Sequence, residues 1–343
     1  MPTVNSPFYE RVFIQAKSVL RTTNNNGGTW SNTGAQLLRV MAGSLQMSPA
    51  EPLVPVQWKH GTRSQLAKIK GRKSGSWSMN IPVVPSGSAG TVPDMDVLLQ
   101  AIFGGPPSVS AGVGCTYNVS DQGQVLFDIF DFNHGDTNIG NRYALGCVVT
   151  GVTLTLNGDI LEIQVSGICV TVVQDVEFTV IDAIAKGGLT SFPSEPPTFS
   201  TIGSIIPGFG GGISLDGANT PQMCDSFQVQ FNPGYGLKGN FIDDAYPAQV
   251  LKGQRTVSIN VGMQNNDSAV LNNLKQKARS GTPVNGSVTL GSTSGLIVTA
   301  GFTGIQLQPS SLNEQADYIE CQFGASEGSV QPGAAGEFSL SFS

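Results

Sequence analysis

Two histidines, five cysteines and a few adjacent carboxylates are where acid–base, nucleophilic or metal chemistry would have to start in this chain. A Ser-His-Asp or Cys-His nucleophile system must use His60 or His134 as its base. Neither lies in a nucleophile motif, since the chain has no G-x-S-x-G and no Q-A-C-x-G. His134-Gly135-Asp136 reads as a polar turn, where these residue types are common for conformational reasons. Asp94 and Asp96 make a carboxylate pair, but beside Pro93 and ahead of an apolar run they read as helix caps. Cys115, Cys147, Cys169, Cys224 and Cys321 are odd in number and form no C-x-x-C, which argues against a zinc site or redox pair. They read as buried apolar thiols in a reducing compartment. The doublet Asp243-Asp244 reads as a solvated turn, and the glycines after Pro207 lack the strand-before, helix-after setting of a phosphate loop. No catalytic residue, cofactor site or metal site is expected.

What remains is a chain built for structure. Its 343 residues include 43 Gly and 20 Pro, and only 12% are charged. Val, Ile, Thr and Phe dominate between the glycines, so many short strands joined by tight turns are expected. The net charge of −6 speaks against gripping a nucleic-acid backbone, which needs clustered Lys and Arg. The start MPTVNSPFYERVF has no apolar core of a secretory signal, and no stretch reaches 18 apolar residues. Synthesis and assembly in a cytoplasm, with no membrane partner, are expected.

The second half repeats the first. Met41-Ala-Gly-Ser-Leu-Gln-Met47 returns as Met223-Cys-Asp-Ser-Phe-Gln-Val229, and 223 − 41 = 182. Lys70-Gly71 returns as Lys252-Gly253 at the same offset, and Ser78-Met79-Asn80 as Ser258-Ile259-Asn260 at 180. Gly151-Val-Thr-Leu154 matches Gly304-Ile-Gln-Leu307 at 153, so the first copy carries an insertion, for which the loop 133–141 is the obvious candidate. A unit of this size is a duplicated domain rather than a solenoid repeat. Residues 1–185 are expected to form one domain, 186–212 a connection and 213–343 a second domain. The connection carries Phe192, Phe199, Ile202 and Ile206, so it should pack on a neighbour in the same or another subunit.

The elements follow from local signals. Arg11–Lys17, Leu37–Met47, Ser74–Val84, 125–132, 144–156 and 160–173 read as strands of the first copy. Asn157-Gly158 is the clearest hairpin turn. A short helix follows Asp94 and stops at Gly104, and a second runs from Asp267 to Arg279 and stops at Gly281. Between Glu51 and Asp94 every charged side chain is basic, including Lys68, Lys70, Arg72 and Lys73. These four are expected at a contact between subunits or rings, opposite acidic residues.

This order resembles the tail tube (major tail) proteins of long-tailed bacteriophages. It comprises an N-terminal strand, a Lys/Arg-rich strand, a helix of the form P-D-x-D-x-L-L-x-A-x-x-G and a hairpin with a G-x-x-x-x-G-V-x-L-x-L-N-G core. Pro93 to Gly104 and Gly146 to Gly167 carry most of the likeness, and Lys252 to Gly281 and Gly295 to Ala325 carry it more loosely. The resemblance implies a mainly β chain with two tandem β-sandwich or half-barrel domains, each with one short flanking α-helix. It implies a virion tail component whose sheets join across subunits into a closed barrel, with rings stacking into the tube for genome ejection. Tape measure, terminator and distal tail proteins are the implied partners, and DNA passes without specific binding. Two copies per chain then imply trimeric rings. The lumen should be acidic or neutral on balance, with Asp128, Asp131, Asp159, Glu162, Asp317 and Glu320 as candidates; strand alternation lets only some point inward. The competing readings are another β-rich virion component (tail terminator, distal-tail or decoration protein) and a carbohydrate-binding adhesin.

Overall fold

The computed structural model describes residues 10–18, 20, 34–56, 67–120, 123–133, 140–156, 160–181, 186, 189, 191–196, 205–207, 211–219, 224–239, 245–265, 268–314, 319–330 and 338–343. The first half contains β1 (Glu10–Lys17), β2 (Ala35–Leu38), β3 (Gln46–Ala50), β4 (Leu53–Val56), β5 (Ala67–Lys70) and β6 (Ser74–Pro82). It continues with α1 (Asp96–Phe103), β7 (Ser108–Ser110), β8 (Gly114–Asn118), β9 (Leu126–Asn133), β10 (Arg142–Leu156), β11 (Leu161–Cys169) and β12 (Thr171–Gln174). The second half begins with β13 (Gly212–Leu215), β14 (Ala218–Asn219), β15 (Cys224–Asn232), β16 (Tyr235–Lys238), β17 (Gln249–Lys252) and β18 (Thr256–Gln264). It ends with α2 (Ala269–Ser280), β19 (Val284–Leu290), β20 (Val298–Leu307), β21 (Ser311–Glu314), β22 (Ile319–Val330) and β23 (Phe338–Phe342). The chain is mainly β, as its composition requires.

The repeat is visible strand by strand. Shifting β4, β5 and β6 by 182 gives the bounds of β16, β17 and β18 (235 − 53, 249 − 67 and 256 − 74). The pairing register repeats as well: Met47 faces Trp77, and Val229 faces Ile259. The offset therefore stays at 182 through Asn260, which corresponds to Ser78; the offset of 180 read from the sequence is corrected. It falls to 177 at the glycines closing the helices (281 − 104), to 161 at the Phe127 and Val288 rungs, and to 153 at Cys147 and Ala300. Most of the insertion is thus the β7–β8 hairpin, which the second half lacks; the loop 133–141 is the smaller part.

Among the described residues the strands form three larger sheets, besides the two-stranded pairs β4–β5 and β16–β17. One runs β2-β1-β9-β10-β12. Its counterpart runs β14-β13-β19-β20-β23-β8-β7, so the inserted hairpin of the first half extends the sheet of the second. The third runs β3-β6-β11-β10-β15-β18-β22-β21 through both halves. β10 serves two sheets because it breaks register between Ala144 and Cys147, where Gly146 takes φ 61°. A Cβ there would stand 2.4 Å from the Leu20 carbonyl oxygen, so glycine is required. The pairings branch but never return on themselves, so the described strands of one chain close no barrel.

Alternation decides the core. In β6 Trp77, Met79 and Ile81 are buried, and in β11 Leu161, Ile163 and Val165 are. These pack with Leu98, Leu99 and Ile102 of α1 and with Leu271 and Leu274 of α2 in one apolar cluster that spans both halves. Helix α1 ends at Gly104 with φ 79° and α2 at Gly281 with φ 67°, as expected of left-handed caps. Ser268 caps α2 by accepting from the Leu271 N–H at 3.2 Å. The capping expected of Asp94 and Asp96 is corrected: Met95 holds the cap position of α1 without a side-chain hydrogen bond. Asp94 pairs with Arg39 at 3.4 Å, and Asp96 accepts the Tyr117 hydroxyl at 2.6 Å.

Leu37–Met47 is not one strand. It is broken by a turn in which the Ser44 N–H donates to the Met41 carbonyl at 3.0 Å. Leu156 and Leu161 face each other across the expected hairpin; residues 157–159 lie outside the described residues. The described part of the connection packs within the same chain. Phe192 sits edge-on to Phe132 and Phe178, and Ile206 joins the shared core.

Candidate assembly surfaces

The two halves meet along β10 and β15. Val152 faces Phe231, Thr153 faces Gln230, Leu154 faces Val229 and Thr155 faces Gln228. Apolar members of these rungs are buried on one face, and the threonines and glutamines lie on the other. The last strand of the first half's order β3-β6-β11-β10 thus joins the first strand of the second half's order β15-β18-β22-β20. Such a head-to-tail junction uses two different edges, so the first half is left with the edge of β3 and the second with the end of β20.

The outer edge of β3 is the edge that corresponds to β15. Among the described residues β3 pairs with β6 alone. Pro49 lies in it, as suits an edge strand. The segment that corresponds to the second part of β10 is the end of β20, where Ile305 and Leu307 pair with β22. Ile305 and Leu307 are buried and Gln306 and Gln308 exposed, which repeats the alternation of Val152, Thr153, Leu154 and Thr155.

A second repeated feature is the arm made by the β4–β5 and β16–β17 hairpins. The second arm folds onto the first half: Tyr235, Leu237 and Val250 pack against the cluster of Phe13, Phe130, Tyr143 and Val148. The Tyr235 hydroxyl donates to the Gly123 carbonyl at 2.9 Å. On the first arm the equivalent of Tyr235 is Leu53, which is 57% exposed, and Ile69 is also 57% exposed.

The basic run divides between these features. Lys68 and Lys70 are exposed on β5. Arg72 and Lys73 lie at the junction of the halves: Arg72 Nη1 donates to the Gly239 carbonyl at 3.0 Å, and the Lys73 N–H to Ala245 at 2.8 Å. Lys73 Nζ donates to the Tyr246 hydroxyl at 3.2 Å and pairs with Glu51 at 3.2 Å. The Tyr246 hydrogen bond, against partial burial, holds its ammonium above the ordinary lysine value.

The acidic candidates scatter. Asp128 is fully buried on β9 and accepts from Lys17 Nζ at 2.6 Å, the Tyr143 hydroxyl at 2.8 Å and the Gly146 N–H at 2.8 Å. Asp131 is 1% exposed and accepts from Arg142 Nε at 2.8 Å and Nη2 at 2.6 Å. Burial lifts its carboxyl above the ordinary value despite Arg142. Both are interior ion pairs, which cannot line an open wall. Glu162 lies on the polar face of the eight-stranded sheet, opposite Thr155. Glu320 lies on β22 opposite Gln264, while Asp159 and Asp317 are outside the described residues. The signal for Asp128 and Asp131 was present in Leu126-Phe-Asp-Ile-Phe-Asp-Phe132: a strand apolar on both faces has no solvent side for a carboxylate.

Chemistry finds little here. Cys115, Cys147 and Cys169 are buried, and burial pushes the Cys115 thiol up to about 11, far from the reactive range. Among the described residues no group of His, Cys, Asp and Glu could hold a metal ion. His60, His134 and the Asp243-Asp244 doublet lie outside them. Trp77 is 2% exposed, edge-on to Phe127, and offers no sugar-stacking platform. Among the described residues no helix is long and apolar enough to cross a membrane.

The family model for phage tail tube proteins covers residues 22–342, nearly the whole chain. No curated protein matches.

Proposed function

We propose that this chain, which belongs to the phage tail tube protein family, polymerises as trimeric rings stacked into the conduit for genome ejection. Family membership makes it a structural component of the virion tail. The halves 1–185 and 213–343, joined by 186–212, act as two tube domains, so three chains supply six around one lumen. The observation that carries this reading is the head-to-tail seam between β10 and β15, with the corresponding edge of β3 unpaired among the described residues.

The seam also supplies a register for the next junction. Moving β15 back by 182 and β10 forward by 153 brings Gln306 of one chain opposite Ser48 of the next. Leu307 then meets Met47, and Gln308 meets Gln46. Both members of each rung already show the matching burial. Joining these edges removes exposed backbone donors and acceptors, and repetition closes the barrel that a single chain leaves open. The first arm then folds onto the neighbour as the second folds onto its own first half. That buries Leu53 and places Lys68 and Lys70 at the subunit contact.

Tape measure, terminator and distal tail proteins would meet such a tube inside and at its ends. Negative-stain microscopy of purified protein after long incubation tests the reading. Tubes are expected; discrete rings that never stack would favour a terminator, distal-tail or decoration role instead.

A further inference from the structure

The eight-stranded sheet has one apolar face, covered by the helices, and one open face. Among the described side chains the open face is poor in charge for a protein of net charge −6. Ser78 of β6, Thr153 of β10, Gln164 of β11, Gln230 of β15 and Ser258 and Asn260 of β18 all lie on it. Its amides bond to one another: Gln230 Nε2 and Asn260 Nδ2 each donate to Gln228 Oε1 at 3.4 Å. At the seam this face is indented by a concavity of about 410 Å³ whose lining includes Thr153, Gln164, Ser166, Gln230, Thr256 and Ser258.

Glu162 is the one charge among the described side chains of this face from β3 to β18. Its rung repeats. Glu162 is paired with Pro82 and Glu320 with Gln264, and 264 − 82 = 182, so both glutamates occupy one position of the duplicated sheet.

We infer that the wall facing the DNA is an uncharged hydroxyl-and-amide surface carrying one glutamate rung per half. The inference rests on the tube reading and makes it specific. Duplex DNA carries one charge about every 1.7 Å of axis and moves with a condensed ion atmosphere. A basic wall would displace those ions and hold the DNA. A neutral wall leaves the atmosphere in place and offers water the same hydrogen bonds along its length. The rung that holds Glu162, repeated at position 320 of β22, sets one level of each ring at which phosphate is repelled.

The test uses assembled tubes with one added thiol, Gln230→Cys or Thr155→Cys, the parent chain giving the blank for its own cysteines. Cationic and anionic methanethiosulfonates of similar size report the local potential through the ratio of their rates, and a polymer-linked maleimide reports access. At Gln230→Cys the ratio should stay within about threefold of that in the unassembled chain, and the polymer should not react. At Thr155→Cys, opposite Glu162, the cationic reagent should gain about three- to tenfold, and lose that gain with Glu162→Gln and Glu320→Gln. A tenfold or greater bias at Gln230→Cys, of either sign, overturns the neutral wall. Polymer labelling along intact tubes places this face outside and overturns it too. If no tubes form, the tube reading falls first and the inference with it.

Discussion

Cysteines placed across the next seam test the assembly at the level of single rungs. Ser48→Cys and Gln306→Cys in one chain should link neighbouring chains, because Thr153 and Gln230 already face each other at the internal seam. Directly opposed antiparallel residues stand about 4.5–5.5 Å apart between Cα atoms, within the span a disulfide bridges. A slip of two residues adds about 6.6 Å along the strand and separates the pair by about 8 Å, beyond that reach. A slip of one residue puts the two thiols on opposite faces. The reaction is therefore specific to one register. Thr153→Cys with Gln230→Cys serves as the internal standard, closing within a single chain. Oxidised tubes run on a denaturing gel without reductant should give linked dimers and trimers, with the trimer as the largest species. If the standard closes and the new pair stays monomeric, the transferred register is wrong; if linkage continues to six chains, the ring size is wrong.

Three further outcomes follow from the interior and the arm. Asp128→Asn strands the buried ends of Lys17 and Tyr143 and should cost about 3–5 kcal/mol in denaturant unfolding, nearer the lower value because Lys17 is 15% exposed and can reach water; a loss under 1 kcal/mol would contradict the network. Burial raises the Asp131 carboxyl above the ordinary carboxylate value, so its contribution to stability is complete below that ordinary value and is lost as pH rises through the raised one. The stability deficit of Asp131→Asn relative to the parent should therefore be larger at pH 3.5 than at pH 6, to the extent that Asp131 dominates the difference, and the opposite trend in paired unfolding curves would overturn this. Lys68→Glu with Lys70→Glu should slow tube growth, followed by light scattering, and the deficit should shrink with salt because exposed pairs are screened within about 8 Å at physiological ionic strength; equal growth at all salt concentrations would mean these lysines are merely solvated.

What the sequence made legible was local or periodic. The alternation of Ser74–Pro82, the glycine stops at Gly104 and Gly281 and the long hairpin of β10 and β11 each follow from a few neighbouring residues. The duplication was legible because whole strands recur at one spacing. What stayed hidden depends on partners far along the chain. β8 is a strand because it lies beside β23, more than 200 residues away, and Asp96 serves Tyr117 rather than its own helix end. Asp128 and Asp131 looked like wall residues until their neighbours on β1 and β10 supplied Lys17 and Arg142. Arg72 and Lys73 were grouped with Lys68 and Lys70 at a contact between subunits or rings because the loop of the second half that they hold comes some 170 residues later. Of the acidic candidates, Glu162 and Glu320 share a position that no motif marks, since only the pairing register aligns them.

The most direct measurement is a three-dimensional reconstruction of the assembled tube in which the chains of one ring are counted. Three chains per ring, with β3 of each beside the end of β20 of the next and six tube domains around the lumen, is the expected result. Six whole chains with twelve such domains, or rings joined through any other edge, would contradict it.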